Sequence, residues 1–503
     1  MSQLKKGAIL SYGTIFLTNA LGLVLTPFII RKLGNSEYGL YTLVGSLIAY
    51  ISILDFGLNN TIVRFVAKYR AQNDLKKEEN FLATTMLIYA FISLIILLVG
   101  IGFYYNIHSF FNKLSTIELA KAKKLFAILI FNLTITLPGG TFNAICSAYE
   151  KFVFPRALTL IKYLVRALLI FTILMLNADS LGLVILDTIL NCVFITISAF
   201  YVFKFLKVKI KLHELSGYAI KNIFSYSIWI FVYAIASQFQ WQSGQIVLGA
   251  ISGTKFIAIY SVGVLLGSYY ATFSSAISGL FIPKAVKMIA NNNSEKELTD
   301  TMILVGRLCM YILFLIFGGF LLFGKNFIEL WVGETYFDSW LIAIIIMIGY
   351  TIPLIQIFGN SILEAKGKYS FKAILNLIFL SLGVLLGIFL TRFNPTIGMI
   401  FGICFCWIMS QIILNYYYIK VIRLDIKRFF IELFKRMIYV FPLILLITSF
   451  LNIINGINWI ILGIKILFYV IVYLIMVYKF SFNEYELNLV NGLFKKFKIN
   501  KNE

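Results

Sequence analysis

Apolar runs of about 20 residues, the length a helix needs to cross a hydrocarbon core about 30 Å thick, recur from one end of the chain to the other. Windows of about 19 residues predict helices near 7–30, 40–60, 81–103, 125–146, 157–177, 181–203, 221–242, 256–282, 301–324, 338–361, 370–391, 396–419, 437–455 and 458–478. No segment between them has room for a soluble domain of ordinary size. The first run holds Asn19 and Pro27, shows no clear small-residue cleavage site and is followed at once by a second run. It therefore reads as a retained helix and not a removed signal. The pattern predicts an all-α integral membrane protein of about fourteen transmembrane helices.

Composition agrees. Of 503 residues 60% are apolar and only 13% charged, against about 25% charged in soluble proteins. The net charge of +22 would suit nucleic acid, but the Lys and Arg residues fall in short clusters between apolar runs and read as topology signals. Lys5, Lys6, Arg64, Lys68, Arg70, Lys76, Lys77, Lys204, Lys207, Lys209, Lys211, Lys420, Arg423, Lys427 and Arg428 all fall on one side of the predicted membrane. About 32 of the 44 basic residues lie on that side and about 9 on the other, so the positive-inside rule places both termini in the cytoplasm. The stretch from Tyr104 to Lys124, with four lysines on the outer side, reads as an amphipathic surface segment. Five cysteines in or beside apolar runs and two histidines argue against disulfides and zinc, and no metal or other cofactor is expected. Cys404 and Cys406, two apart on a helix, point in different directions.

The chain also matches itself. AYEKFVFPRALTLI from Ala148 resembles AKGKYSFKAILNLI from Ala365, pairing Lys151 with Lys368, Phe154 with Phe371 and Leu158 with Leu375 at an offset of about 217 residues. Ser11-Tyr12 and Ser225-Tyr226, then Leu33-Gly34 and Leu248-Gly249, follow at similar offsets, and an insertion of a few residues separates Tyr41 from Tyr260. Helices 1 to 6 are thus expected to repeat as 7 to 12. Six is even, so both copies enter the membrane in the same sense, a parallel repeat about the membrane normal. The expected organisation is a six-helix bundle over 1–210, a second over 211–430, and two further helices with a basic cytoplasmic tail over 431–503.

LGNSEYGLYTLVGSLIAYISILDFGLNNTIVRFVAKYRAQND, from Leu33 to Asp74, resembles the opening of the polysaccharide transporter family, O-antigen-type flippases of the multidrug, oligosaccharide-lipid and polysaccharide exporter superfamily. Gly34, Tyr38, Gly39, Tyr41, Asp55, Gly57, Arg64 and Ala67 carry the likeness. SILEAKGKYSFKAILNL from Ser361 is similar to the segment leading into that family's eleventh helix, and length and helix count agree throughout. The resemblance implies a flippase of the bacterial inner membrane that moves an undecaprenyl-pyrophosphate-linked oligosaccharide from the inner to the outer leaflet. It also implies membrane lipid as a partner, and a polysaccharide polymerase and chain-length regulator as further ones. One departure stands out. Family members often carry an acidic residue near the end of helix 7, five positions before a Gly, whereas this chain has Gly244 before Gly249, which puts an acidic cation-coupling site there in doubt.

Ionisable side chains deep in the membrane cost at least a few kcal/mol and should face a bundle interior or a watery cavity. Arg166 is the deepest, nine residues into helix 5, with Lys162 one turn earlier on the same face. Two stacked cations suit a pyrophosphate head group; alternatively Arg166 pairs with Asp187 of helix 6, and both readings can hold together. Arg307 of helix 9 is a shallower substrate candidate, and Lys465 can snorkel to a surface. Gln238, Gln240, Gln242 and Gln245 of helix 7 can bond sugar hydroxyls, or other helices. Asp55 and Arg64 flank the cytoplasmic end of helix 2, as an entry or gating pair or as a solvated cap. GxxxG spacing at Gly249/Gly253, Gly263/Gly267, Gly383/Gly387 and Gly398/Gly402 predicts close helix packing.

No GxxxxGK[ST] motif occurs, so ATP is not bound by that route. The competing functions are a drug or cation exporter of the same superfamily and a membrane-embedded polymerase or ligase. The enzyme reading needs a sizeable outer loop with acid and base groups, and residues 104–124 supply only Glu118, His108 and lysines.

Overall fold

A computed structural model of the chain describes residues 3–214, 231–291, 293–454, 456 and 458–488, without the side chains of 3–9, 11, 12, 275–284 and 286. Every regular element among the described residues is helical. The helices are α1 Gln3–Leu33, α2 Asn35–Ile51, α3 Leu58–Ala71, α4 Leu75–Phe110, α5 Thr116–Ala148, α6 Val153–Met175, α7 Ser180–Phe200, α8 at 231–241 and α9 Ser243–Ile251. There follow α10 Thr254–Ala290, α11 Glu295–Val332, α12 Phe337–Ile355, α13 Ile357–Ala365, α14 Tyr369–Leu390, α15 Pro395–Tyr417, α16 Ile426–Phe434, α17 Met437–Ser449 and α18 Trp459–Met476.

Twelve helical runs among the described residues are long and apolar enough to cross a membrane, and they fall on twelve of the fourteen predicted windows. Of the other two, 221–242 lies partly outside the described residues, and 437–455 becomes α17 with a short 3-10 turn at Phe450–Ile453. Several helices begin where the sequence supplies caps for their free N–H groups. Ser115 and Glu118 form a capping box ahead of α5, Ser294 and Glu297 another ahead of α11, and Asp74 caps α4.

Two predicted boundaries need correction. The surface segment expected over 104–124 is mostly helix, because α4 runs on to Phe110 and α5 starts at Thr116. At 1.5 Å per residue the 36 residues of α4 reach about 54 Å, so α4 continues past the apolar layer with its hydrogen bonds intact. Predicted helix 2 is broken: α2 ends in a 3-10 turn at Ser52–Asp55, Phe56 (φ 51°) and Gly57 (φ 70°) take left-handed conformations, and α3 starts afresh. Gly57 does this without strain, whereas Phe56 needs its surroundings to hold it.

The chain divides into two compact units, Met1–Val262 with Ala373–Cys406 and Gly263–Lys372 with Trp407–Glu503. In the first, α5 is the hub, packed on α2, α3, α4 and α7. A Cβ at Gly39 would lie 2.1 Å from the carbonyl oxygen of Thr254, so α2 presses its backbone against the start of α10. Gly249 likewise admits Leu43, but its expected companion Gly253 packs on nothing within 4 Å; its φ of +98° makes it the turn between α9 and α10. Gly383 and Gly387 of α14 meet Gly402 and Met399 of α15 at backbone distance, as their spacing predicts. In the second unit α11 is the hub for α12, α16, α17 and α18, and Gly263 and Gly267 of α10 admit Ile342 and Ile346 of α12.

Candidate functional site

Helices α6 and α7 run antiparallel, so one turn forward on α6 meets one turn back on α7. Lys162 faces Asn191 and Arg166 faces Asp187, with Pro155 and Leu158 of α6 and Ile195 and Ser198 of α7 along the same cavity. The cavity has a volume of about 520 Å³, and α5 completes it with Leu129, Asn132 and Asn143. Arg166 grips Asp187 in a two-pronged pair, Nε to Oδ1 at 2.6 Å and Nη2 to Oδ2 at 2.9 Å, the fork geometry that matches guanidinium to two oxygens. Lys162 donates to the Asn191 amide oxygen. Asn191 in turn donates to Asn132 Oδ1 at 2.8 Å, and Asn132 to Thr188 Oγ1 at 3.1 Å. Tyr41 of α2 stands beside the Arg166–Asp187 pair.

The next facing pair is apolar. Toward the C-terminal end of α6, Ile170, Leu174 and Leu183 are fully buried and form an apolar plug packed with Phe28 and Ile29 of α1. Beyond that plug lies a charged clasp. Lys121 of α5 reaches Glu37 of α2 at 2.6 Å and Asp179, the cap of α7, at 2.9 Å, and Glu37 also accepts the Ser180 N–H at 2.7 Å. Partial burial would raise the Asp179 carboxyl, but bonds from Lys121 and from the N–H groups of Gly182 and Leu181 outweigh it and hold the group below its ordinary value of 3.8.

Of the sequence candidates the cavity brings together Lys162, Arg166 and Asp187, and it adds Asn132 and Asn191, with Tyr41 beside them, which sequence reasoning did not single out as site residues. The signal was there, because Asn191 sits one turn from Asp187 just as Lys162 sits one turn from Arg166. The remaining candidates occupy other surroundings. Gln245 is buried and, with its amide oriented to donate, bonds the carbonyls of Trp241 (3.2 Å) and Gln242 (3.0 Å) at the break between α8 and α9. Gln242 is the residue at that break. Asp55 accepts the Tyr89 hydroxyl at 2.7 Å and the Asn59 amide at 3.2 Å on the broken turn, while Arg64 sits on α3 at an exposed position. Gly244 faces the ring of Tyr260, whose atoms lie from 2.2 Å of where a Cβ would be. An acidic side chain would have no room there.

Arg307, in the second unit, is buried and has its donors committed. It pairs with Glu486 at 2.6 and 2.8 Å and bonds the Tyr311 hydroxyl and the carbonyls of Glu432 and Ser481. This cluster ties the segment after α18 to α11 and α16. Lys465 does not reach a surface but is buried and donates to the Ile454 carbonyl at 2.9 Å.

Twelve helical runs among the described residues, long and apolar enough to cross a membrane, with a charged cavity among α5, α6 and α7, define a multi-pass membrane protein. The model of the family described as polysaccharide biosynthesis protein matches residues 4–283, and the chain belongs to that family. It is 22% identical over 355 residues, 69% of this chain and 82% of the other, to a Shigella flexneri protein named for O-antigen transport. It is 26% identical over 294 residues, 56% of each chain, to the uncharacterized membrane protein EpsK of Bacillus subtilis (strain 168). Among solved structures it resembles the lipid II flippase MurJ in an inward closed conformation, with a TM-score of 0.62 and 18% identity over 93% of this chain and 97% of that one. It also resembles an inward-facing multidrug resistance MATE family transporter of the MOP superfamily, with a TM-score of 0.65 and 14% identity over 82% and 97%. At such identities the structural likeness concerns the fold.

Proposed function

We propose that this protein is a flippase that moves an undecaprenyl-pyrophosphate-linked oligosaccharide, an O-antigen or other polysaccharide repeat unit, from the inner to the outer leaflet by alternating access. The observation that carries the reading is the polar cavity of α5, α6 and α7, with Lys162 and Arg166 stacked on one face. A diphosphate needs such cations, and the amides of Asn132, Asn143 and Asn191 suit sugar hydroxyls. Family membership and the name of the Shigella relative support the substrate class. On the positive-inside reading both termini are cytoplasmic and the Pro155–Ser198 end of the cavity faces the cytoplasm, where the lipid-linked substrate is loaded in this scheme. The Ile170–Leu183 plug and the Lys121 clasp then lie toward the outer face. The polyprenyl tail stays in the bilayer against the exposed apolar side chains of α6, Ile161, Leu164 and Leu168. No bond is made or broken in this scheme.

Parallel architecture supports alternating access. Phe154 stacks on Tyr201 at 3.8 Å and 10°, and Phe371 on Tyr417 at 4.0 Å and 10°. Glu150 and Gly367 take left-handed conformations just before these phenylalanines, and α7 and α15 both run into a π turn, Tyr201–Phe205 and Tyr418–Ile422. These features recur at the offset of the sequence repeat. The test is flipping of a fluorescent undecaprenyl-pyrophosphate oligosaccharide in proteoliposomes, with wild type, Arg166→Ala and Arg166→Lys compared. The expected result is flipping by wild type and its loss in both folded variants. A wild type that exports cationic dyes and leaves the lipid-linked sugar unflipped would move the assignment to a drug exporter.

A further inference from the structure

The cavity already contains an anion for its arginine. The Asp187 carboxylate occupies the Nε–Nη2 edge of Arg166 with the geometry a phosphate would use. Lys162, by contrast, is hydrogen-bonded to the neutral amide of Asn191 and feels the Asp187 carboxylate only at longer range. Lys162, Arg166 and Asp187 together give the cavity one net positive formal charge.

We infer that Asp187 is an internal rival of the ligand's phosphate for Arg166, set there to keep binding weak enough for release. This rests on the reading given above of a pyrophosphate-bearing ligand. Charge-assisted bonds strengthen in a low-dielectric site, so a bare guanidinium would hold a diphosphate too long for turnover. With Asp187 on the facing helix, Arg166 never becomes an unpaired buried cation when the ligand leaves, a state that is strongly unfavourable. The exchange is of one oxygen pair for another and needs little movement of α6 against α7. Lys162 lies one turn from Arg166 and within electrostatic reach of Asp187, so it can neutralise the carboxylate while the phosphate holds Arg166. Asp187 is thus a positioning residue that sets affinity, and the ligand is selected by being a stronger anion than a carboxylate.

The experiment is titration of the full-length protein in nanodiscs with inorganic pyrophosphate, for wild type, Arg166→Gln, Asp187→Asn, Asp187→Glu and Arg166→Gln/Asp187→Asn, alongside the flipping assay. Removing a competitor of ordinary coupling strength tightens binding by about tenfold or more. Asp187→Asn should therefore bind pyrophosphate at least about tenfold more tightly and flip more slowly at saturating substrate. Asp187→Glu should stay near wild type, and the double variant should lose the gain. Asp187→Asn should melt lower on either account, because it leaves Arg166 unpaired, but a pair that merely holds the helices together predicts that it binds pyrophosphate no better than wild type. That result would overturn the inference, while weaker binding by Arg166→Gln would leave the flippase reading intact. If neither wild type nor Asp187→Asn binds pyrophosphate, both readings fall. If Asp187→Asn does not survive purification, Asp187→Ser replaces it, with the same tightening expected and its absence equally fatal.

Discussion

The helix pairs α6–α7 and α14–α15 share their punctuation and differ in their filling. Each opens after a left-handed residue, stacks its first phenylalanine on a tyrosine at the far end of the partner helix, and ends in a π turn. At the repeat offset, Arg166 corresponds to Gly383 and Asp187 to Cys404. The first pair stands apart around charged and amide side chains. The second closes until a Cβ on Gly402 would lie 2.3 Å from the backbone nitrogen of Gly387. One backbone plan thus makes a cavity or a seal according to the residues on the facing stripe. In lipid, where apolar burial does not drive helices together, small residues are what permit the close form.

The largest expected effect that tests this contrast is at Arg166. Arg166→Ala leaves Asp187 without its cation and should cost about 3 kcal/mol, the low end for a buried pair because both side chains are partly exposed; thermal melting in detergent reads it. A melting point equal to wild type would mean that the pair is not structural at all. Next comes Gly402→Ala, which forces backbone apart and should cost about 2 kcal/mol. Ile185→Ala, the matching position in the open pair, is at an exposed site and should stay within about 0.5 kcal/mol. Equal losses at the two positions would erase the distinction between cavity and seal. Phe154→Ala and Phe371→Ala should each cost about 1.5 kcal/mol, much of it lost stacking, and agree closely with one another; disagreement would weaken the case for a repeat.

The smallest effect is at the clasp. Because the folded-state Asp179 titrates below 3.8, its contribution to stability is present above that value and fades as pH falls through the lower, folded-state value. The side chain is 43% exposed, so solvent screens the pair. Asp179→Asn should lower the melting point by a degree or two at neutral pH and leave no difference from wild type in strong acid. A gap that persists there would assign the effect to the lost helix cap and not to charge.

Most of the helices were legible because a long apolar run in this composition has only one stable outcome, with its backbone bonded internally. The break at Ser52–Gly57 was not, since a hydropathy window averages over a turn built from one left-handed Phe and one Gly. The charged half of the cavity could be read from depth and spacing. Its amide half could not, because Asn132 and Asn191 carry no charge to mark them and their roles depend on which helices face each other. Arg307 looked like Arg166 in sequence, and its environment is set by Glu486, 179 residues away. No local pattern could have told the two arginines apart.

The ring of Tyr260 over Gly244 also bears on how this chain can change over generations. An acidic residue at 244 would collide with the phenol, and a smaller residue at 260 would leave a void beside a glycine that lends it no side chain. Each single step is harmful, and only the pair together opens the position. The two residues are thus coupled: while Tyr260 fills that space a carboxylate cannot be seated at 244, and one substitution at a time does not open it.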